Sequence, residues 1–377
     1  MKGNITRRGN NSWRIKFDIE PNGQGRQTRY VTIRGTKKEA QVEAAKIIAA
    51  ASKGDYVEGS KETVAQFVER WLRDWAKGNT SNKTYARYEE LLRLHVVAHE
   101  GERRIQRLRA TDLQALYAKL QRETGLAART VLHVHRVVHR MLRHAAQWGV
   151  VHQNAATLVD APSVPSTEID ILTPAQVQAV LQTLRASDSA RRLYTVAAVA
   201  LGTGMRRGEL LALRWQDVDL DAAMVRVERS LEQTKAGLVF KAPKTRHGRR
   251  SITLPPSTVS ELRTHWRASQ ERRLALGQGK APEDALVFGE WDGSPRSPNA
   301  LTKEWAAAMA RAKITATLHS LRHTHASTLI ASGLDVLTIS RRLGHGSPAI
   351  TLTVYGHLFK TDDRAAAIME AAFAGAE

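Results

Sequence analysis

A chain of 377 residues is longer than one hydrophobic core usually organises, so two or three domains are expected, and 42% hydrophobic residues are enough to give each a core. Fifty-seven Lys and Arg against 37 Asp and Glu leave a formal net charge of +20, which favours a polyanionic partner, and residues 1–60, 61–170 and 171–377 are each net basic. With no cysteine, disulfides, zinc–cysteine sites and thiol nucleophiles are excluded; with no apolar leader after Met1 and no bilayer-length apolar run, a soluble cytoplasmic protein without a membrane partner is expected.

Residues 1–57 read as a small sheet plus a helix. Trp13, Ile15, Phe17 and Ile19 alternate with Arg14, Lys16 and Asp18, the period of a strand buried on one face. Pro21-Asn22-Gly23 turns the chain, and in the run Arg29 to Arg34, Val31 and Ile33 share one face while Tyr30, Thr32 and Arg34 share the other. Thr36 and Glu39 have the spacing of a capping box that opens a helix reaching about Ser52. Packing both apolar faces on that helix leaves Arg14, Lys16, Tyr30, Thr32 and Arg34 outward. Such a basic and aromatic face is either a solvated sheet surface or a ribbon that enters a DNA groove.

Gly54 to Ser60 reads as a linker, and from Thr63 to about Ala156 the apolar spacing becomes helical, beginning with the stripe Val64, Phe67, Val68, Trp71 and Leu72. The clearest helix runs from about Ala128 to Trp148, with Val134, Val138, Met141 and Ala145 on one side. Arg129, His133, Arg136, Arg140 and Arg143 line another side, as a solvated face or a DNA-contacting one. Ala161 to Ser166, with two prolines, reads as a second, extended and mobile linker.

The second half carries a set of residues in recognisable local sequences. Arg206 lies in Thr203-Gly204-Met205-Arg206-Arg207-Gly208-Glu209-Leu210, and Lys244 lies in Pro243-Lys244-Thr245, between runs at Leu238 to Phe240 and Ser251 to Leu254 that look like two strands. His319 and Arg322 lie in His319-Ser320-Leu321-Arg322-His323-Thr324-His325-Ala326, His345 closes Leu343-Gly344-His345, and Tyr355 follows ten residues later. This order resembles the catalytic half of the tyrosine recombinase (phage integrase) family over roughly Ile171 to Leu358.

The resemblance implies a multidomain, mainly α fold with small β-sheets. Residues 1–57 would be an arm-type DNA-binding domain of a three-stranded sheet plus helix, residues 62–160 a helical SAM-like core-binding domain, and residues 170–377 a mixed, mainly α catalytic domain with a C-terminal helix. It implies a site-specific recombinase that integrates or excises a mobile element through a 3′-phosphotyrosine intermediate, with Tyr355 as nucleophile. Arg206 and Arg322 would fork onto the non-bridging phosphate oxygens, with Glu209 able to buttress Arg206 or a neighbouring histidine. His319 would accept the tyrosine proton, His345 would donate a hydrogen bond to the phosphate, and Lys244, on a hairpin tip, would protonate the departing 5′ oxygen. Lys241 competes with Lys244 on spacing alone. His323 and His325 beside His319 invite a metal reading, but the His-Glu-x-x-His pattern is absent, and neither a metal nor another cofactor is expected.

The implied partners are double-stranded DNA at core and arm attachment sites, a homo-tetramer on that DNA, docked through the final helix from Arg364 to Gly375, and an accessory DNA-bending or excisionase protein. Arg14, Lys16, Tyr30, Arg34, Arg129, Arg136 and Arg140 are the candidate DNA contacts. A type IB topoisomerase or telomere resolvase would share the chemistry, and a regulator that keeps the fold without catalysis would share the binding.

Overall fold

A computed structural model describes residues 4–19, 27–52, 56–165, 169–186, 191–243, 246–359 and 365–373. The chain divides into two compact units, Met1–Ser166 and Thr167–Glu377.

The first unit contains two separate cores. In the smaller, β1 (Asn4–Gly9), β2 (Ser12–Ile19) and β3 (Gln27–Arg34) form an antiparallel sheet in that order. Alternation exposes β2 and β3 in the sequence, but β1 has Ile5 as its sole apolar residue, so its pattern is silent. Ile15 and Phe17 are buried with Ala44 and Ala51 of α1 (Lys37–Ser52). The α1 N-terminus is closed as its sequence requires: Thr36 N donates to Glu39 Oε2 at 2.7 Å and Glu39 N to Thr36 Oγ1 at 3.3 Å. Tyr56, in the stretch read as a linker, instead sets its ring against the Phe17 ring, centroids 4.8 Å apart, and joins this core.

The larger core is helical. Its elements are α2 (Val64–Trp71), α3 (Asn82–Leu92), α4 (Ala110–Arg122) and α5 (Ala128–Gln147). A capping box at Thr63 starts α2, and a wide π turn, Leu72–Ala76, carries it onward. The stripe Val64, Phe67, Val68, Trp71 and Leu72 is wholly buried, as are Val134, Val138, Met141 and Ala145 of α5. The Trp71 indole would strand an N–H in that core, but it donates to His144 Nδ1 at 2.7 Å.

In the second unit α6 (Pro174–Arg185), α7 (Arg191–Thr203) and α8 (Arg207–Leu211) lead into two small sheets. One has the order β4 (Val218–Asp219), β5 (Met224–Val227), β8 (Arg250–Thr253); the other is the hairpin of β6 (Ser230–Thr234) and β7 (Gly237–Lys241). The runs flanking Lys244 are therefore strands, but they do not pair with each other. β7 pairs with β6 and β8 with β5, so the segment expected to be a hairpin tip is a connection between two sheets. β7 has its partner β6 immediately upstream, across a short turn that keeps the loop-closure cost low, whereas β8 pairs with the more distant β5. Then come α9 (Pro256–Ala275), α10 (Pro298–Arg311), α11 (Leu318–Ala331), α12 (Val336–Leu343), α13 (Pro348–Tyr355) and α14 (Ala365–Phe373). The unit's main core gathers Val196, Val199, Leu211, Ile252, Leu262, Leu301, Trp305 and Leu321, so α7 is largely buried, while α11 adds Leu321 to this core and carries polar side chains on its first turns.

Trp71→Ala removes the largest buried side chain of the helical core and leaves His144 without its donor. The expected loss is about 3–5 kcal/mol in the unfolding transition of the first unit, read by urea denaturation followed through Trp fluorescence; a loss under ~1 kcal/mol would contradict the packing described.

Candidate active site

Three segments far apart in sequence meet in the second unit: the turn between α7 and α8, the first turns of α11, and the turn between α12 and α13. Arg206 is the N-cap of α8, an unusual residue there, because Glu209 completes the box. Glu209 Oε2 accepts from Arg206 N at 2.9 Å and Oε1 from Arg206 Nη1 at 2.8 Å. Nη2 of Arg206 reaches across to the Gly344 carbonyl at 3.1 Å. Arg322, on the first turns of α11, is only 3% exposed and donates to the Gly204 carbonyl at 2.6 Å and the Leu343 carbonyl at 2.8 Å. The two arginines thus tie the first and third segments together.

Two glycines make this approach possible. Gly204 and Gly344 have φ of 66° and 64°, the left-handed region, and Gly344 is the C-cap of α12. A Cβ on Gly204 would lie 2.6 Å from the His325 ring, and one on Gly344 2.7 Å from an Arg250 nitrogen.

Glu209 does buttress Arg206, but its second partner is Arg250 rather than a histidine. Arg250 Nη2 donates to Glu209 Oε2 at 2.8 Å and its Nε to the Arg342 carbonyl at 2.6 Å. Burial alone would raise the Glu209 carboxyl, yet the Arg250 hydrogen bond and charge, with Arg206, outweigh it and hold the group below its usual range. Arg250 was legible only as one more charge in a basic stretch.

Tyr355 ends α13 and is buried. Burial raises its phenol above the ordinary range, while the charges of Arg322 and Arg206 act to lower it. Its hydroxyl contacts His323 Nδ1 at 2.7 Å. The family resemblance implied that His319 accepts the tyrosine proton; in the structure His319 is exposed, and it is the His323 ring, which His319 meets edge-on with centroids 4.5 Å apart, that touches Tyr355. His325 turns away from both. Its Nδ1 faces the Leu201 carbonyl at 2.6 Å, and its Nε2 accepts from Arg342 Nε at 3.0 Å. His345 is buried with Nδ1 2.7 Å from the Thr351 hydroxyl, a partner that sequence reasoning passed over. His323, His325 and His345 are each depressed to about 4, by burial first and then by neighbouring positive charge.

Lys244 lies outside the described residues. Its competitor Lys241 is paired with Glu232. A cleft of about 340 Å³ opens between these elements, lined by Arg206, Glu209, Ser230, Lys241, Pro243 and Gly344.

Residues 170–362, just over half of the chain, match the model of the phage integrase family. This chain belongs to that family. Residues 63–121 match the phage integrase N-terminal SAM-like domain, which covers most of the helical core of the first unit. An integrase of Streptomyces ambofaciens is 31% identical over 335 residues, 85% of this chain and 82% of the relative. A XerC-like tyrosine recombinase of Caldanaerobacter subterraneus subsp. tengcongensis is 25% identical over 376 residues, 95% of each chain. Among solved structures, a Tn1549 transposon integrase fragment in complex with transposon right-end DNA has the same fold, with a TM-score of 0.69 at 22% identity, covering 82% of this chain and 99% of that one. The chain is a tyrosine-type site-specific recombinase.

In this integrase the candidate DNA contacts fall on two surfaces. Arg14 stands opposite Thr32, Lys16 opposite Tyr30 and Ser12 opposite Arg34, so these residues share the sheet face away from α1. Tyr30 is 57% exposed with the Arg14 guanidinium 5.3 Å from its ring centre. Along α5, Arg129, His133, Arg136, Arg140 and Arg143 are all exposed, and Arg140 is steadied by a 2.7 Å hydrogen bond to the Tyr88 hydroxyl. Among the described residues no helix is long and apolar enough to cross a membrane.

Protonating His325 would set two N–H donors face to face with Arg342. Its folded pKa, about 4, lies below the ordinary histidine value of about 6.5, so the unfolded chain binds the proton more readily; stability is full above about pH 6.5 and is lost as pH falls toward 4. Thermal melts across this range should show a falling Tm, with a shallower fall in His325→Gln. An equally steep fall in the variant would deny His325 its share.

Proposed function

We propose that this recombinase cuts and rejoins DNA with Tyr355 as nucleophile, Arg206 and Arg322 holding the two non-bridging oxygens of the scissile phosphate, and His345 donating a third hydrogen bond. The observation that carries the proposal is the meeting of Arg206, Arg322 and His345 from three separate segments, with the Arg206 and Arg322 charges bearing on the Tyr355 phenol at the end of α13. A phenol attacking phosphorus gives a 3′-phosphotyrosine that keeps the bond energy for rejoining, so no nucleotide is required. The guanidiniums neutralise the charge that accumulates in the pentavalent transition state. The Thr351 hydroxyl holds the His345 ring at Nδ1, and in the tautomer with the proton on Nε2 that nitrogen is the donor toward phosphate. Lys244, in the connection between the two sheets, is assigned to protonate the leaving 5′ oxygen.

The three-part organisation is part of the same proposal. Residues 1–57 bind an arm site through Arg14, Lys16, Tyr30 and Arg34, residues 62–160 bind the core site along Arg129, Arg136 and Arg140, and residues 170–377 perform the chemistry. The complex of the Tn1549 relative with transposon-end DNA supports double-stranded DNA as partner. A homo-tetramer, with α14 docking on a neighbour, is supported by the exposure of Ile368, Met369 and Phe373, an apolar set left uncovered by the described residues of its own chain. Integration or excision of a mobile element, with an accessory DNA-bending or excisionase protein setting direction, completes the reading.

A nicked suicide duplex carrying the core site should trap the wild-type chain covalently through a 3′ phosphate, and Tyr355→Phe should bind it and trap none; a Phe variant that still forms the adduct removes Tyr355 as nucleophile. Arg206→Ala should lower the cleavage rate by about 10²–10³-fold, as loss of a charge-stabilising donor does elsewhere. Deletion of residues 1–57 should leave suicide-substrate cleavage measurable, abolish protection of outlying sites in footprints and impair recombination between full attachment sites. Loss of core protection with outlying patches intact would invert the domain assignment.

A further inference from the structure

The reaction needs an acceptor for the Tyr355 proton, and among the described residues one is in hydrogen-bond reach. His323 Nδ1 is 2.7 Å from the hydroxyl, and the other groups whose charge bears on the phenol are the cations Arg322 and Arg206, which have no lone pair to offer. The hydroxyl therefore uses its single proton by donating to Nδ1. His319 is separated from the phenol by the His323 ring, which it meets at 84°. We infer that His323 is the catalytic base that deprotonates Tyr355, a role that rests on Tyr355 being the nucleophile.

The groups facing the His323 ring explain why it is available. Burial, His319 and Arg322 disfavour the imidazolium, so the ring is neutral at neutral pH and its lone pair is free; Asp170 is the negative charge that offsets them once the proton arrives. As the Tyr355 oxygen bonds to phosphorus its proton passes to His323 Nδ1. The bond from phosphorus to the 5′ oxygen breaks, and that oxygen takes a proton from the general acid assigned to Lys244. In rejoining, the 5′ hydroxyl returns its proton to the lysine, and the imidazolium of His323 reprotonates the departing tyrosine. The ring shuttles one proton and is unchanged at the end of the cycle. This leaves the exposed His319 to act on the phosphate instead of the phenol.

The test is the single-turnover cleavage rate of the suicide duplex, at saturating protein, from pH 5 to 9. His323→Asn keeps an acceptor atom near the Nδ1 position but cannot take a proton; His323→Ala removes both. Both should bind DNA and lose about 10²–10⁴-fold in rate at neutral pH, the range for a lost general base. Their rates should climb with pH, because Tyr355 must then ionise unaided, whereas the wild type stays flat above its acid limb. His319→Asn should lower the rate without steepening the profile. A His323→Asn rate within about threefold of wild type, with the same profile, would reduce His323 to a holder of the hydroxyl and overturn the assignment, and so would a steep profile appearing in His319→Asn alone. Should His323→Ala fail to fold, the Asn comparison decides by itself. A wild-type chain that forms no adduct overturns the recombinase mechanism and this role with it, an outcome told apart from the others because no His323 variant is needed to see it.

Discussion

Glu209 is a carboxylate buried between two guanidiniums, and the geometry of the active site follows from that arrangement. A lone carboxylate there would be costly to ionise, and Arg206 and the buried Arg250 would lose the anion they share. With it, Arg250 is fixed to α12 through the Arg342 carbonyl and Arg206 to the α12–α13 turn through the Gly344 carbonyl. A short helix of five residues, α8, is held in place by charge as much as by its apolar side. The pairing also leaves a surplus. Arg206, Arg250 and Arg322 act on one another, and Glu209 is the nearby anion for all three. The Arg322 guanidinium is lowered to about 9, by burial first and by Arg206 next. It remains charged at neutral pH and under-compensated, which is the condition a phosphodiester relieves.

The legibility of this site in the sequence divides along a physical line. Arg206, Arg322, His345 and Tyr355 could be singled out because each sits in a short segment whose order is distinctive, and the capping box at Thr36 because its chemistry is local. Strand pairing was not: Leu238 to Phe240 and Ser251 to Leu254 look like strands, yet nothing in either says that its partner lies upstream in β6 and β5. The same holds for His323. Spacing places it one residue beyond Arg322, on α11, but that its ring meets Tyr355 depends on how α13 packs on α11, a contact 32 residues away in sequence. Arg250 was hidden by its surroundings, since in a run of basic residues nothing local marks the one that turns inward.

The first unit shows the complementary case. There burial was legible almost residue by residue, because the α2 and α5 stripes follow the helix period and fill a core. Exposure on the opposite faces is equally plain, but exposure alone does not distinguish solvent from DNA. What the structure adds is preorganisation. Arg14 lies along Tyr30, and Arg140 is hydrogen-bonded to Tyr88, so each loses less side-chain freedom on meeting a phosphate than an unsupported arginine would.

Backbone carbonyls orient the two arginines of the active site. Arg322 spends its donors on Gly204 and Leu343, and Arg206 one of its own on Gly344. These are neutral acceptors on rigid turns, two of them fixed by glycines in the left-handed region. A phosphate oxygen is a charged acceptor, and hydrogen bonds to it are about twice as strong. Arginine has five donors, so the backbone bonds set the plane of each guanidinium and leave further N–H groups to be used outward. Orientation is thereby settled before DNA arrives, and in the proposed reaction the binding free energy of the phosphate is available for stabilising charge as the proposed nucleophile, Tyr355, closes on phosphorus rather than for arranging the groups that receive it.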